Sequence, residues 1–225
     1  KFIVVEACEH REHMLHLSPK AILLTNIEED HLDYYRDITH IQMAFQNFIN
    51  KLPVEGLLIQ NADDAESHDL GSDRTIVTYG IENQADVMAE NIFFEKGKQR
   101  FRVGTSAFSL QIPGRFNVLN ALSVIACARQ LGVKDDIIQK ALSNFQGTWR
   151  RFELVGEYRH VPVVSDYAHH PTAIRSVLKA AKEFFPGKRL LVVFQPHQHN
   201  RTKKLFKAFT ECFDDADFLR KVSEV

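Results

Sequence analysis

Ala21-Ile22-Leu23-Leu24-Thr25-Asn26-Ile27-Glu28-Glu29-Asp30-His31-Leu32-Asp33 decides how the chain is read. Four consecutive apolar residues ended by Thr25-Asn26 make a strand that is apolar on both faces, as a parallel sheet covered on both sides requires. The polar run that follows then stands outside the strand's carboxyl end, where open parallel sheets place their ligands. Outward from this core, Phe2-Ile3-Val4-Val5 reads as a second buried strand ended by Glu6. Gly56–Gln60 and Thr75–Tyr79 read as two more. Asp37–Leu52 carries Ile38, Ile41, Phe45 and Phe48 at helical spacing and is closed by Pro53, so a helix is expected there. The fold class is α/β.

Asn91–Ile112 alternates apolar and polar residues around Lys96-Gly97-Lys98, the pattern of an antiparallel ribbon. Asn117–Leu131 reads as a helix stopped by Gly132, and Asp135–Phe145 as a shorter one. Gly147-Thr148 breaks the pattern, which places a domain boundary near Gly147–Arg150. Strands return at Val161–Val164 and Leu190–Phe194, with a helix at Thr172–Phe185 between them, a crossover unit of one second sheet.

Composition narrows the partners. Lys and Arg number 28 against 29 Asp and Glu. This balance suits neither a nucleic-acid groove nor an anionic membrane surface, so any anionic ligand must be held by locally placed groups. Cys8, Cys127 and Cys212 are odd in number and form no CxxC pair, the usage of buried thiols in a reducing compartment. Apolar runs are strand-length, so no membrane insertion is expected. Lys1 leads straight into Phe2–Val5 with no cleavage site, and the expected location is cytoplasmic.

Five constellations carry chemistry. Glu6 and His31, delivered to one sheet edge, can share a divalent cation; alternatively Glu28, Glu29 and Asp30 are simply the solvated first turn of a helix. Asn117 as an N-cap and Asn120 one turn on can read a purine edge, or merely cap a helix. Arg150 and Arg151 point different ways in an extended chain, so one can face a cleft and offer its planar fork to phosphate while the other faces solvent; a surface ion pair is the ordinary alternative. Asp166-Tyr167-Ala168-His169-His170-Pro171-Thr172 and Phe194-Gln195-Pro196-His197-Gln198-His199-Asn200-Arg201-Thr202 each follow a strand and precede a helix, at equivalent ends of the second sheet. His10, His13 and His16 recur every third residue and, with His31, invite a zinc reading, but on a helix they spread over more than one face and no cysteine completes the set.

Together with Val5-Glu6-Ala7, Gly114–Ala121 and Arg150-Arg151-Phe152-Glu153, these segments resemble the Mur ligase family in its own order. The resemblance is nearest to the branch that joins L-alanine to UDP-N-acetylmuramate. It implies part of a mainly parallel central ATPase domain over residues 1–150. The start of a Rossmann-like domain would follow over residues 151–225. It implies ATP and Mg2+ as cofactors, with Glu6 and His31 holding the metal, Asn117 and Asn120 on adenine, Asp166 on the ribose and Arg151 at the terminal phosphate. Tyr167, His169, His197 and Arg201 would line the place where the muramoyl carboxylate meets the amine. The implied chemistry is an acyl phosphate attacked by alanine.

Some features depart from that pattern. The family's G-x-x-x-x-G-K-[ST] loop is absent from these 225 residues, since Gly97-Lys98 is followed by Gln99 and Gly187-Lys188 by Arg189. Gln198 and His199 replace the more usual Arg and Tyr. Glu9–His13 is unexpectedly basic, and Phe218–Val225 does not continue as the family's sheet should. A part of a longer enzyme is therefore expected, inactive by itself, with its oligomeric state open. A ligase recycling murein tripeptide and a non-catalytic binding fragment remain as alternatives.

Overall fold

The computed structural model describes residues 2–222 and divides into two compact units: residues 1–88 with 119–133, and residues 89–118 with 134–225. In the first unit, β1 (Ala21–Leu24), β2 (Leu57–Asn61), β3 (Thr75–Gly80) and β4 (Val87–Met88) lie side by side in that order, every neighbouring pair parallel. All five residues of β2 are buried, as a strand covered on both faces should be. Its polar end is satisfied internally: Asn61 donates to the Thr25 carbonyl at 2.8 Å and Gln60 to that of Leu70 at 3.1 Å. Helix α1 (Ile38–Ile49) is capped by Asp37, whose carboxylate accepts the His40 N–H at 2.9 Å. Its apolar stripe packs Ile41, Ala44, Phe48 and Ile49 into a core with Ile22, Leu24, Tyr35 and Leu58. Each of the Ile, Leu and Phe side chains contributes roughly 1.5–3 kcal/mol when fully buried.

Phe2–Val5 is not a strand. These residues are irregular and exposed, Val4 at 95%. Apolar character alone does not make a strand without a paired neighbour, and among the described residues β1 is paired as a strand with β2 alone. Glu28–Asp30 likewise form no helical turn: they lie in irregular backbone, and the turn that follows covers residues 32–34. Cys8 is exposed, whereas Cys212 is buried, so the thiols are not uniformly interior.

In the second unit, β5 (Glu90–Glu95), β6 (Lys98–Val103) and β7 (Ser106–Leu110) form the expected antiparallel ribbon. Lys96 and Gly97, at φ 50° and 74°, make a two-residue turn with both central residues left-handed, which matches the twist of the flanking strands. Helix α2 (Arg115–Gln130) begins in this unit and continues into the first, burying Val118, Leu122 and Ile125 completely. Helix α3 (Asp135–Asn144) packs on β7.

The remaining strands form two separate pairs. β8 (Glu153–Tyr158) and β9 (Val161–Ser165) are antiparallel, with a register irregularity between Leu154 and Gly156. β10 (Leu191–Phe194) and β11 (Phe218–Lys221) are parallel. Strands β9 and β10, joined through α4 (Pro171–Phe184), therefore do not share a sheet as the crossover reading required. Pro162 lies inside β9 and has no N–H to give, which suits that strand to an edge. Phe218–Lys221 does continue as a strand, contrary to expectation; residues 223–225 lie outside the described residues. Helices α5 (His199–Lys204) and α6 (Phe206–Glu211) connect the parallel pair.

Candidate functional site

The first group of site residues surrounds the carboxyl end of β1. His10–His16 forms a tight 3₁₀ turn interrupted by Arg11 and Glu12, both left-handed at φ 51° and 58°. Met14 anchors the turn in the core, and its N–H reaches the Cys8 carbonyl at 2.8 Å. The turn is also strapped to the loop after β1. Glu9 Oε1 lies 3.1 Å from His31 Nε2, and Tyr34 donates to Glu12 at 3.3 Å. The hydroxyl of buried Tyr35 donates to the Glu9 carbonyl. Burial, with the negative charge of Glu12, pushes the Tyr35 hydroxyl up to about 12, so it stays a donor.

His31 sits here at φ 50°, its ring 4.6 Å from that of His10 between centroids. His10, His31 and Asp33 each bring a ligand atom within 4.8 Å of the others. Glu6 is exposed in the irregular segment and is not in that cluster, and Asn26 is exposed beyond β1. The sequence reading missed Glu9 and Asp33 as neighbours of His31. Asp33 was visible as the third residue of His31-Leu32-Asp33, whereas Glu9 carried no signal.

The second group opens α2. The helix starts at Arg115, so Asn117 stands inside its first turn and is not the N-cap. The Asn117 amide donates to the Pro113 carbonyl at 2.6 Å, outcompeting the capping geometry. Gly114 makes the sharp entry at φ 101°, where a Cβ would stand 2.6 Å from the Phe116 ring. Asn120 is exposed one turn further on.

The third group gathers in the second unit. Arg150 places its guanidinium 4.6 Å from the centroid of the Tyr167 ring and 5.6 Å from that of Trp149, and Arg151 lies 6.0 Å from Tyr167. The two arginines do not diverge as an extended chain would make them: Arg150 and Phe152 are left-handed, at φ 54° and 47°, so both side chains return to one ring. Asp166 ties the loop together, accepting the Phe152 N–H at 2.8 Å and that of Ala168 at 2.7 Å. His169 stands edge-on to Tyr167, with Nδ1 2.8 Å from the Tyr167 carbonyl. His197 is exposed after β10, and Arg201 is buried on α5. The structure thus brings Arg151, Asp166, Tyr167 and His169 into one cluster.

One polar cluster lies beyond the carboxyl end of the parallel strand β1 and another, by itself, in the loops around the antiparallel pair β8 and β9, each a candidate ligand site of an α/β protein. The chain belongs to the Mur ligase family: residues 1–128 match the Mur ligase middle domain and residues 150–224 the Mur ligase glutamate ligase domain. It is 45% identical to the UDP-N-acetylmuramate–L-alanine ligase of Clostridium tetani, over 97% of this chain and 49% of that protein. Among solved structures it resembles the UDP-N-acetylmuramate-alanine ligase of Thermotoga maritima (TM-score 0.74, 28% identity, 96% of this chain and 54% of that one). A murein peptide ligase from Psychrobacter arcticus also resembles it (TM-score 0.62, 27% identity, 93% of this chain and 44% of that one). The chain spans about half the length of the curated relatives it matches. Among the described residues, no helix is long and apolar enough to cross a membrane.

Proposed function

We propose that this chain is the middle and part of the C-terminal portion of a cytoplasmic, ATP-dependent ligase that joins L-alanine to UDP-N-acetylmuramate. The observation that carries this reading is the 45% identity, over nearly the whole chain, to a protein named for that reaction. The junction between its two catalytic domains lies near Gly147–Arg150.

Glu6 and His31 would hold the magnesium ion. Exposed Glu6 offers the hard carboxylate oxygen that magnesium takes, and His31, on the loop after β1, adds a softer nitrogen. When bound, the ion supplies neutralisation of phosphate charge. The chain's own residues do the rest. Asn120, with the Asn117 carbonyl left over from its bond to Pro113, reads the adenine edge. Asp166 faces the ribose, and Arg151 presents its fork to the terminal phosphate. Tyr167, His169, His197 and Arg201 line the acceptor site. A muramoyl carboxylate oxygen attacks the γ-phosphorus and ADP leaves. The alanine amine then adds to the acyl carbon, loses a proton, and the tetrahedral species expels phosphate.

The choice of amine donor tests the reading. The intact protein, given ATP, magnesium and UDP-N-acetylmuramate, should release phosphate when L-alanine is added. Release driven by murein tripeptide and indifferent to alanine would assign it to recycling, and no release with either would leave a binding protein.

A further inference from the structure

We propose that His10, His31 and Asp33 form a site for a borderline transition-metal ion of the Zn2+ or Co2+ class, which competes with magnesium for His31. The competition rests on the assignment of His31 to magnesium made above; the site itself does not.

The first support is the donor set. One ligand atom from each residue lies within 4.8 Å of the other two. Donors around a tetrahedral zinc ion, with bonds of about 2.0–2.2 Å, stand about 3.3–3.6 Å apart, so side-chain rotations that draw these atoms together by about 1 Å or less close the site. Two imidazole nitrogens and one carboxylate oxygen, with a fourth position left for water, suit zinc and cobalt. Magnesium demands oxygens in an octahedron and is poorly served by the same three groups.

The second support is how the ligands are held. Glu9 Oε1 lies 3.1 Å from His31 Nε2. A carboxylate on one ring nitrogen fixes the tautomer and leaves the other nitrogen its lone pair, the arrangement found behind metal-bound histidines. The backbone presenting that ring is fixed too. The His31 N–H donates to its neighbour Asp30 at 2.6 Å, and its carbonyl accepts the N–H groups of Tyr34 and Tyr35 at 2.8 and 2.9 Å. His10 arrives from the opposite segment, its ring inclined only 32° to that of His31. The left-handed pair Arg11 and Glu12 turns the chain away immediately after it. No bond of the proposed ligation uses Glu6, so the two metal readings separate by mutation.

Cobalt is the probe, because a four- or five-coordinate nitrogen-bearing site intensifies its visible absorption over that of the aqueous ion. The intact protein should bind one Co2+ per chain with intensified bands, displaced by Zn2+ and not by a comparable concentration of Mg2+. Losing a direct ligand should cost at least what losing an outer partner costs, so His10→Ala and Asp33→Asn should each weaken Co2+ binding about tenfold or more. Asp33 is exposed, so its isosteric change leaves the core alone. Glu6→Gln should leave Co2+ affinity unchanged while raising the magnesium needed for phosphate release. Equal Co2+ affinity in the parent, His10→Ala and Asp33→Asn proteins, or the pale spectrum of the aqueous ion, would overturn the site. A Glu6→Gln protein with an unaltered magnesium requirement would instead remove the magnesium assignment and leave the cobalt result standing.

Discussion

Asp166 accepts the Phe152 N–H at 2.8 Å, so the loop after β9 is tied to the residue that directly follows the arginine pair. Its other oxygen takes the Ala168 N–H at 2.7 Å, so each oxygen accepts one backbone bond and keeps further acceptor capacity. The same carboxylate has been assigned above to a ribose, and the two roles give different variants. Asp166→Asn turns one acceptor into a donor facing an N–H, which costs about 1–3 kcal/mol when the group left unpaired is buried. Thermal unfolding should show that loss. A raised KM for ATP with unchanged thermal stability would place the carboxylate on the nucleotide and not on the loop.

The arginine pair separates by the same logic. Arg151→Lys keeps the charge but loses the fork, so turnover in the intact enzyme should fall about tenfold or more, with KM for the UDP-sugar near its parent value. Arg150 lies over two rings, and lysine there loses the planar guanidinium stacking, which costs up to about 0.5–1 kcal/mol. Its signature should be a lower unfolding temperature with a modest kinetic effect. Equal kinetic losses from both substitutions would contradict the division of labour.

How much of this was legible in the sequence depends on whether pattern or partner decided each element. The strands β1, β2 and β3, the Lys96-Gly97 turn and the helices α1, α2 and α4 announce themselves by apolar period and punctuation. Phe2–Val5 has the same apolar signal, but a strand is a pairing, and among the described residues none pairs with it. Strand β8, in Glu153–Tyr158, was not anticipated; five of its six residues are exposed, so no burial pattern marks it. In the site, His31 and Asp166 do stand after strands, β1 and β9, as the pattern placed them, whereas Glu6 follows a segment that is not a strand. The approach of His10 to His31 was not legible, because it depends on left-handed backbone at Arg11 and Glu12, which residue spacing does not encode. The same holds for the convergence of Arg150 and Arg151 on Tyr167.

A pH dependence follows from Asp217. Hydrogen bonds from Lys182 first, and from the Leu190 N–H at 2.6 Å, hold its carboxyl below the usual carboxylate range. The folded protein therefore releases this proton more readily than the unfolded chain. The resulting stabilisation is complete above the unfolded value of about 3.9, and it is lost as pH falls through that value toward the lower folded one. Asp217→Asn should unfold at a lower temperature than the parent near neutrality, and the difference should shrink in acid below about pH 4. A difference that persists unchanged in acid would assign the effect to packing.

ATP activates the muramoyl carboxylate and alanine then displaces phosphate from it, and oxygen transfer reads that pair of steps directly. With the intact protein, ATP, magnesium and L-alanine, UDP-N-acetylmuramate carrying oxygen-18 in its muramoyl carboxylate should pass one labelled oxygen into each inorganic phosphate released. One alanine should be joined for every labelled phosphate formed. Phosphate released without label, or label transferred without alanine becoming attached to the sugar nucleotide, would contradict the assigned reaction.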